Sequence, residues 1–327
     1  MKLPEDTFSF RRRVAFGDCD PARIYYTPRA IDYCVEAIEA WWEAVLRISW
    51  TDLLAGRGLE VRFFRAECEF LRPLTAGQVA RLGIRVADAP HPGLSFRVTG
   101  DGESGAPCFR ATLTAGLFDR KRQLLVPIPE GDRERIAGYE AAFGREEAAR
   151  DAGLRRVTPA GRDERSPEPA GTPAPPRERR TFPDGLFTRT RRFVYGDCSL
   201  SGTVYAPNVF RYAVEAVGEW FEEVPGISWL ELVSVRKQGA PAVAASCDYH
   251  RPLQAGQAAA MGVRVIHLGR ASLGLSIEGN DPEGAPLFDA RITLCYIDQK
   301  GGFRSMPIPE EFAGPIRAYR AACGVGG

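Results

Sequence analysis

The chain has 327 residues, of which 44% are apolar, 10% aromatic and 26% charged, with 43 basic side chains against 42 acidic ones and a formal charge of +1. This is globular composition, enough for about two domains at roughly 100 to 200 residues each, and the near-neutral balance argues against a dedicated nucleic-acid binder. No stretch of 18 consecutive apolar residues suggests a membrane span, the first 30 residues carry Glu5, Asp6 and the Arg11-Arg12-Arg13 run rather than a signal peptide, and the eight cysteines form no C-x-x-C pair that would suggest structural zinc. We therefore expect a cytoplasmic protein with reduced thiols and no metal or other cofactor.

The chain repeats itself. Residues 13–50 align with residues 192–229 at a constant offset of 179, and 15 of the 34 positions from Gly17 to Trp50 are identical. The same offset carries Cys68 onto Cys247, Arg72-Pro73-Leu74 onto Arg251-Pro252-Leu253, and Asp119 onto Asp298. One inserted residue then brings Pro127-Ile128-Pro129-Glu130 onto Pro307-Ile308-Pro309-Glu310 and Tyr139 onto Tyr319. Two copies of one domain follow, residues 1–144 and 186–327. The segment between them, 145–185, is rich in Pro, Arg, Glu, Ala and Gly; it reads as a flexible tether, because it has too little apolar surface to offset its ordering entropy. Its coil reach of roughly 35 Å lets the copies pack as an intramolecular pseudo-dimer.

Within each copy a short strand opens the domain, at Phe8–Phe16 and Leu186–Tyr195. A helix follows. Ile31, Cys34, Val35, Ile38, Trp41, Trp42 and Val45 recur at helical spacing, and Phe210, Ala213, Val214, Val217, Trp220, Phe221 and Val224 repeat the pattern. Thr27 and Pro28 supply an N-cap and a first-turn proline; Ala206-Pro207 keeps the proline, so both helices are expected to begin at matched places. Four β-like runs come next in copy one, Val61–Leu71, Val79–Ala87, Leu94–Thr99 and Cys108–Asp119. The fold class is α+β. A sheet wrapped on one helix is completed most simply by pairing the two copies.

Gly17-Asp18-Cys19-Asp20-Pro21-Ala22, followed by Ile24-Tyr25-Tyr26, Pro28 and the long helix, resembles the signature of hotdog-fold thioesterases of the 4-hydroxybenzoyl-CoA thioesterase type. The resemblance covers both copies. It implies two tandem hotdog domains, each a long helix cradled by an antiparallel sheet, and an acyl-CoA or acyl-carrier-protein thioester as partner, bound where the copies meet. It further implies that Asp20 is the catalytic carboxylate and that backbone N–H groups near Thr27 polarise the thioester carbonyl. A carboxylate serves as nucleophile or base only if the developing oxyanion is stabilised, which helix N-terminal amides do without a metal.

Copy two departs from the motif. It reads Gly196-Asp197-Cys198-Ser199-Leu200-Ser201, with Ser199 where copy one has the catalytic Asp20, and in this it resembles hotdog thioesterases of polyketide pathways that lack the acid. Copy one has Arg23 where copy two keeps Gly202, and Arg23 could clash with or bind the acyl or phosphate group. Tyr26 and Tyr205 are candidates for the acyl pocket, with Thr27 and Pro28 beside it. Asp18 and Asp197 read as structural. Glu36 and Glu215 read as exposed helix carboxylates that could also position water. Arg72 and Arg251 fit either a phosphate contact or a structural bridge. Cys19 and Cys198 lack a repeat-matched histidine, since His91, His250 and His267 have no counterparts. Thioester hydrolysis is the expected activity; a dehydratase or isomerase using His250, and a non-catalytic acyl-thioester binder, are the alternatives.

Overall fold

The computed structural model describes residues 8–89, 92–143, 179–300 and 302–323. Copy one runs β1 (Ser9–Arg13), α1 (Arg29–Leu46), α2 (Trp50–Arg57), β2 (Leu59–Phe70), β3 (Val79–Ala89), β4 (Gly93–Asp101), β5 (Pro107–Asp119), β6 (Leu124–Val126) and α3 (Glu130–Phe143). Copy two runs β7 (Thr188–Arg192), α4 (Ala206–Glu223), α5 (Trp229–Ser234), β8 (Gln238–Gly239), β9 (Ala242–Tyr249), β10 (Ala258–Leu268), β11 (Ser272–Asn280), β12 (Pro286–Cys295), β13 (Ile297–Asp298), β14 (Arg304–Ser305) and α6 (Glu310–Ala322). Each copy is a hotdog domain, and the two stand in tandem.

Their sheets are one sheet. The strand order is β1-β3-β4-β5-β2-β9-β12-β11-β10-β7, with β6 on β5, and all the pairs along it are antiparallel. The seam is β2 against β9. There Glu67 faces Ser246, its own counterpart in the repeat, while Ala66 faces Cys247 and Cys68 faces Ala245. A pseudo-twofold axis therefore passes between Glu67 and Ser246, and Arg65 crosses the seam to Asp248 at 2.6 Å. Pairing these strands removes two exposed sheet edges at once.

On this sheet lie α1 and α4, which touch each other and carry the core. The apolar face of α1 is wider than the helical spacing predicts, taking in Ala30, Tyr33, Ala37 and Leu46, whereas Val45 is only half-buried. Trp41 meets Phe96 and Tyr139 edge-on at 5.5 and 5.6 Å between ring centres, and Trp220 meets Phe221 and Tyr319 in the same manner.

Three expectations need correction. Thr27 does not cap α1: Pro28 already has helical dihedrals, φ −60° and ψ −26°, and Arg29, Ala30 and Ile31 donate to the carbonyls of Tyr26, Thr27 and Pro28 in a tight three-residue opening. Copy two's helix starts directly at Ala206, the position matched to Thr27, so the two starts differ by two residues. Finally, each copy carries helices beyond the long one. Here α2 and α5 are capped by Ser49 and Ser228, whose hydroxyls accept from the N–H groups of Asp52 and Glu231. The terminal α3 and α6 lie against β3 and β10, where the Tyr139 hydroxyl donates to the Ile84 carbonyl at 2.6 Å and that of the matched Tyr319 to the carbonyl of Val263.

Most of the 145–185 segment lies outside the described residues, as does His91. Its final part lies on copy two, with the Arg180 N–H donating to Gly284 O at 2.7 Å and its guanidinium reaching Asp289. Among the described residues no helix is long and apolar enough to cross a membrane.

One packing feature is duplicated along with the repeat. A Cβ placed on Gly100 would sit 2.2 Å from the ring of Phe109, and one on Gly279 would sit 2.2 Å from the ring of Phe288. Both rings are fully buried and have nowhere to move. Gly279→Ala is expected to lower unfolding stability by about 1–3 kcal/mol in urea titrations; an unchanged midpoint would refute this account of the glycine.

Candidate active site between the two copies

The Gly17–Pro28 segment folds as a short 3-10 turn, Phe16–Asp18, followed by a tight loop. Asp18 is buried and holds that turn together: its Oδ2 accepts from the Ala15 N–H at 2.9 Å and the Tyr33 hydroxyl at 2.6 Å, and Arg29 approaches Oδ1 at 3.5 Å. In copy two Asp197 accepts from the Val194 N–H at 2.9 Å and faces Arg211. The first acid of the motif is thus a structural group in both copies.

Asp20 is differently placed. The loop is closed by Asp20 N–H to Ile24 O and Arg23 N–H to Asp20 O, both at 2.9 Å, while Oδ1 accepts from the Ala22 N–H at 2.8 Å. Copy two builds the same loop, with Ser199 N–H to Thr203 O and Gly202 N–H to Ser199 O, so the turn forms without a carboxylate. Ser199 there joins a hydroxyl chain with Ser201 and Thr203 at 2.9 and 2.7 Å. The carboxylate of Asp20 is half-buried, and burial raises its pKa against the opposing pull of the Ala22 and Ile24 amides.

Asp20, Pro21, Ala22, Ile24, Tyr26 and Thr27 form one wall of a cavity of about 190 Å3. Copy two supplies the rest: Val214 and Val217 from α4, Trp229, Leu230, Leu232 and Val233 from α5, Gly239 to Ala242, Ile292, Leu294, Ile297, Gln299 and Phe303. The wall is almost wholly apolar. The N–H of Thr27 donates to no acceptor among the described residues. Tyr26 is half-buried beside Glu215 and Arg211 of α4, and burial pushes its hydroxyl up to about 12.

The cavity exists because copy two breaks its strands where copy one does not. The strand that runs unbroken as β2 in copy one is split into β8 and β9 around Ala240-Pro241, and the counterpart of β5 is split into β12 and β13 at Tyr296. Pro241 has no N–H to give to a ladder, which ends the pairing there. The detached ends form a small sheet, β14-β13-β8. In copy one, the positions of Gly239, Pro241, Ala242, Ile297 and Gln299 carry Glu60, Arg62, Phe63, Phe118 and Arg120. These side chains fill their own space: Arg62 pairs with Glu60 and lies over the Phe118 ring, and Phe63 packs on Trp50 at 6.2 Å. The copy that keeps the acid thus faces the wall that is open.

The remaining candidates fall outside this cavity. Arg23 is exposed and holds a left-handed backbone, φ 64°, where copy two has Gly202 at φ 79°. Pro28 is buried behind the loop, and Tyr205 packs near the acidic face of α1, by Asp32, Glu36 and Glu39. Glu36 pairs with Arg12 at 3.0 Å and Glu215 with Arg191 at 3.4 Å. Arg72 donates to Pro107 O and Arg251 to the matched Pro286 O, which closes the same hairpin in both copies. Burial raises the Cys19 thiol, the opposite of nucleophile activation. His250 bonds Asp289 at 2.9 Å and does not line the cavity. The copy-two residues of the wall were missed by sequence reasoning; the replacement of Arg62 and Phe63 by Pro241 and Ala242 was the one available signal.

A family model for the thioesterase-like superfamily matches residues 14–136 and 193–316. Among solved structures, the fold resembles a provisionally assigned oleoyl thioesterase from Lactobacillus plantarum, with 13% identity, TM-score 0.63, and 94% of this chain and 100% of that one covered. It also resembles a 12:0-ACP thioesterase from Umbellularia californica, at 13% identity, TM-score 0.62 and coverage of 89% and 94%, and an acyl-ACP thioesterase from Bacteroides thetaiotaomicron, at 7%, 0.59, and 90% and 100%. No curated protein matches the chain by sequence.

A left-handed arginine is strained by about 1–2 kcal/mol relative to glycine. Arg23→Gly is expected to raise stability by about 0.5–1 kcal/mol once the added unfolded-state entropy is counted. Thermal unfolding of the two proteins checks this, and a destabilised variant would mean that the arginine side chain holds the loop.

Proposed function

Because the chain belongs to the thioesterase-like superfamily, we propose that it hydrolyses an acyl thioester whose acyl group enters the cavity between the copies and whose carbonyl meets Asp20. The observation that carries this reading is the half-buried Asp20 carboxylate at the wall of an apolar cavity, in a loop that copy two shows to fold without it. A carboxylate retained where folding does not require it, and where burial is unfavourable to its charge, is kept for chemistry.

With the carbonyl carbon against Asp20 and its oxygen against the Thr27 N–H, the carboxylate takes a proton from water as the water oxygen bonds to carbon. The carbonyl oxygen becomes an oxyanion held by the amide. Collapse of that intermediate breaks the C–S bond, and the thiolate leaves with the proton. In the covalent variant Asp20 itself bonds to the carbonyl carbon, thiolate leaves, and water cleaves the resulting anhydride. Both use the same ionised carboxylate, and label found in Asp20 after single-turnover hydrolysis in oxygen-18 water would establish the covalent route, since only attack of water on the aspartyl carbonyl of the anhydride places it there. Coenzyme A and acyl carrier protein present the same pantetheine thioester, so either serves the site; the finer resemblance to 4-hydroxybenzoyl-CoA thioesterases rests on the Gly17–Ala22 motif. The lyase alternative requires a histidine at the substrate, and among the described residues none lines this cavity.

Asp20→Asn keeps the acceptor that holds the Ala22 N–H and removes the charge. Thiol release from acyl-CoAs is expected to fall at least about a hundredfold, some 2.7 kcal/mol of barrier. The folded pKa of Asp20 is raised, so its ionisation destabilises the fold as pH climbs through that value; at pH 7 the asparagine variant should unfold at the same or a higher temperature than the parent. Full activity in the variant would sink the assignment. For the same reason the acid limb of the rate profile should begin above the ordinary aspartate range near about 3.9, the rate falling as pH drops through the raised value.

A further inference from the structure

We infer that the acyl group accepted here is an aliphatic chain too long for the cavity, and that Leu230 and Phe303 are specificity-determining residues that cover the part projecting from it. This rests on the thioesterase reading for its chemistry, while the choice of chain rests on exposure and packing.

Of the large apolar side chains that line the cavity, two stand exposed to solvent: Leu230 of α5, at 60%, and Phe303 just before β14, at 43%. A lone exposed leucine is ordinary, but these two border the same apolar space and carry its wall outward to water. Phe303 also holds a left-handed backbone, φ 59°, which bulky residues rarely adopt. The repeat supplies the comparison. Gln123 and Phe303 each precede the residue that pairs back onto the matched Asp119 and Asp298, and Thr51 of α2 matches Leu230. Gln123 has the same backbone as Phe303, φ 58°, and its Nε2 donates to the Arg120 carbonyl at 2.6 Å, a local bond that a phenyl ring cannot make. Copy one, whose wall is filled by its own side chains, thus carries polar residues at both positions, and copy two, whose wall is open, carries apolar ones.

An aromatic ring kept in water, on a strained backbone and without a hydrogen bond in return, is unfavourable until an apolar group covers it. The size of the cavity says which group reaches it. A cavity of about 150 Å3 takes one benzene ring, so the volume of about 190 Å3 here takes about eight carbons. A short acyl group held at Asp20 fits within the chamber and leaves Leu230 and Phe303 wet. A longer chain runs out of room and meets these two side chains where the copy-two wall reaches solvent. Each methylene fully buried there favours binding by about fourfold, whereas one lying over polar side chains gains little. The pair therefore converts chain length beyond the chamber into affinity.

The test uses non-hydrolysable coenzyme A thioethers, in which a methylene separates sulfur from the carbonyl, carrying straight acyl chains of graded length from four to fourteen carbons, each below the concentration at which it forms micelles. Affinities are measured by calorimetry for the full chain, for Leu230→Thr, for Phe303→Gln and for the double variant. Each substitution installs the residue with which copy one folds at that place. Affinity of the parent should keep rising beyond eight carbons, and the double variant should bind the twelve-carbon analogue at least about tenfold more weakly than the parent while binding the four-carbon analogue equally. A parent whose affinity levels off at eight carbons, a length dependence that survives both substitutions, an equal loss at every length, or binding of no analogue would overturn the inference. Because binding is read apart from turnover, a length dependence abolished by the variants while no thioester is hydrolysed would support Leu230 and Phe303 and discard the hydrolase reading.

Discussion

Everything in this molecule depends on the backbone hydrogen bonds that join β2 to β9. A hotdog sheet on its own ends in an edge of unpaired N–H and C=O groups, and satisfying that edge is a strong demand. Here the demand is met by the chain's own second copy, in a register that sets Glu67 opposite Ser246. That register fixes the pseudo-twofold axis, and the axis in turn brings the Asp20 loop of one copy against the helix and strand ends of the other. The site is a consequence of strand pairing before it is a consequence of any catalytic residue.

Upon that symmetric frame the two halves have taken opposite courses. Copy one retains the carboxylate and fills its own wall with Glu60, Arg62, Phe63 and Phe118, which bury one another. Copy two replaces the acid by Ser199 and interrupts its strands, so that Gly239, Ala240, Pro241 and Ala242 border space instead of side chains. Burial in that space makes the charge on Asp20 less favourable and any oxyanion contact stronger, because both follow from exclusion of water. An acid and an apolar chamber that would each be a liability alone become useful where they meet.

The repeat, the long helices and the four following strands were legible in the sequence because they rest on periodicity and on local residue chemistry. The second acid of the motif stood out in the sequence because one copy kept it and the other did not, and its role stays a proposal. The start of α1 was misread because Pro28 can sit either at the first helical position or in the turn before it, and the backbone chose the turn. The helices α3 and α6 escaped notice since their sequences are charged and weakly patterned; the matched Tyr139 and Tyr319, each anchoring to a strand carbonyl, were the clue. The cavity wall left only a trace in the sequence, Pro241 and Ala242 in place of Arg62 and Phe63. It depends on which strand ends peel away from a sheet shared by both copies, and a single sequence carries no direct record of that.

In a true homodimer every substitution appears twice, once on each side of the axis, and a change that widens one chamber widens both. Covalent fusion of the copies removes that coupling. With Pro241 and Gly239 encoded separately from Arg62 and Glu60, the wall in copy two can change while its counterpart keeps the side chains that pack there. Duplication in this way lets one half of the shared sheet stay filled with side chains while the other borders a cavity, and the strand break at Pro241 marks the difference between them.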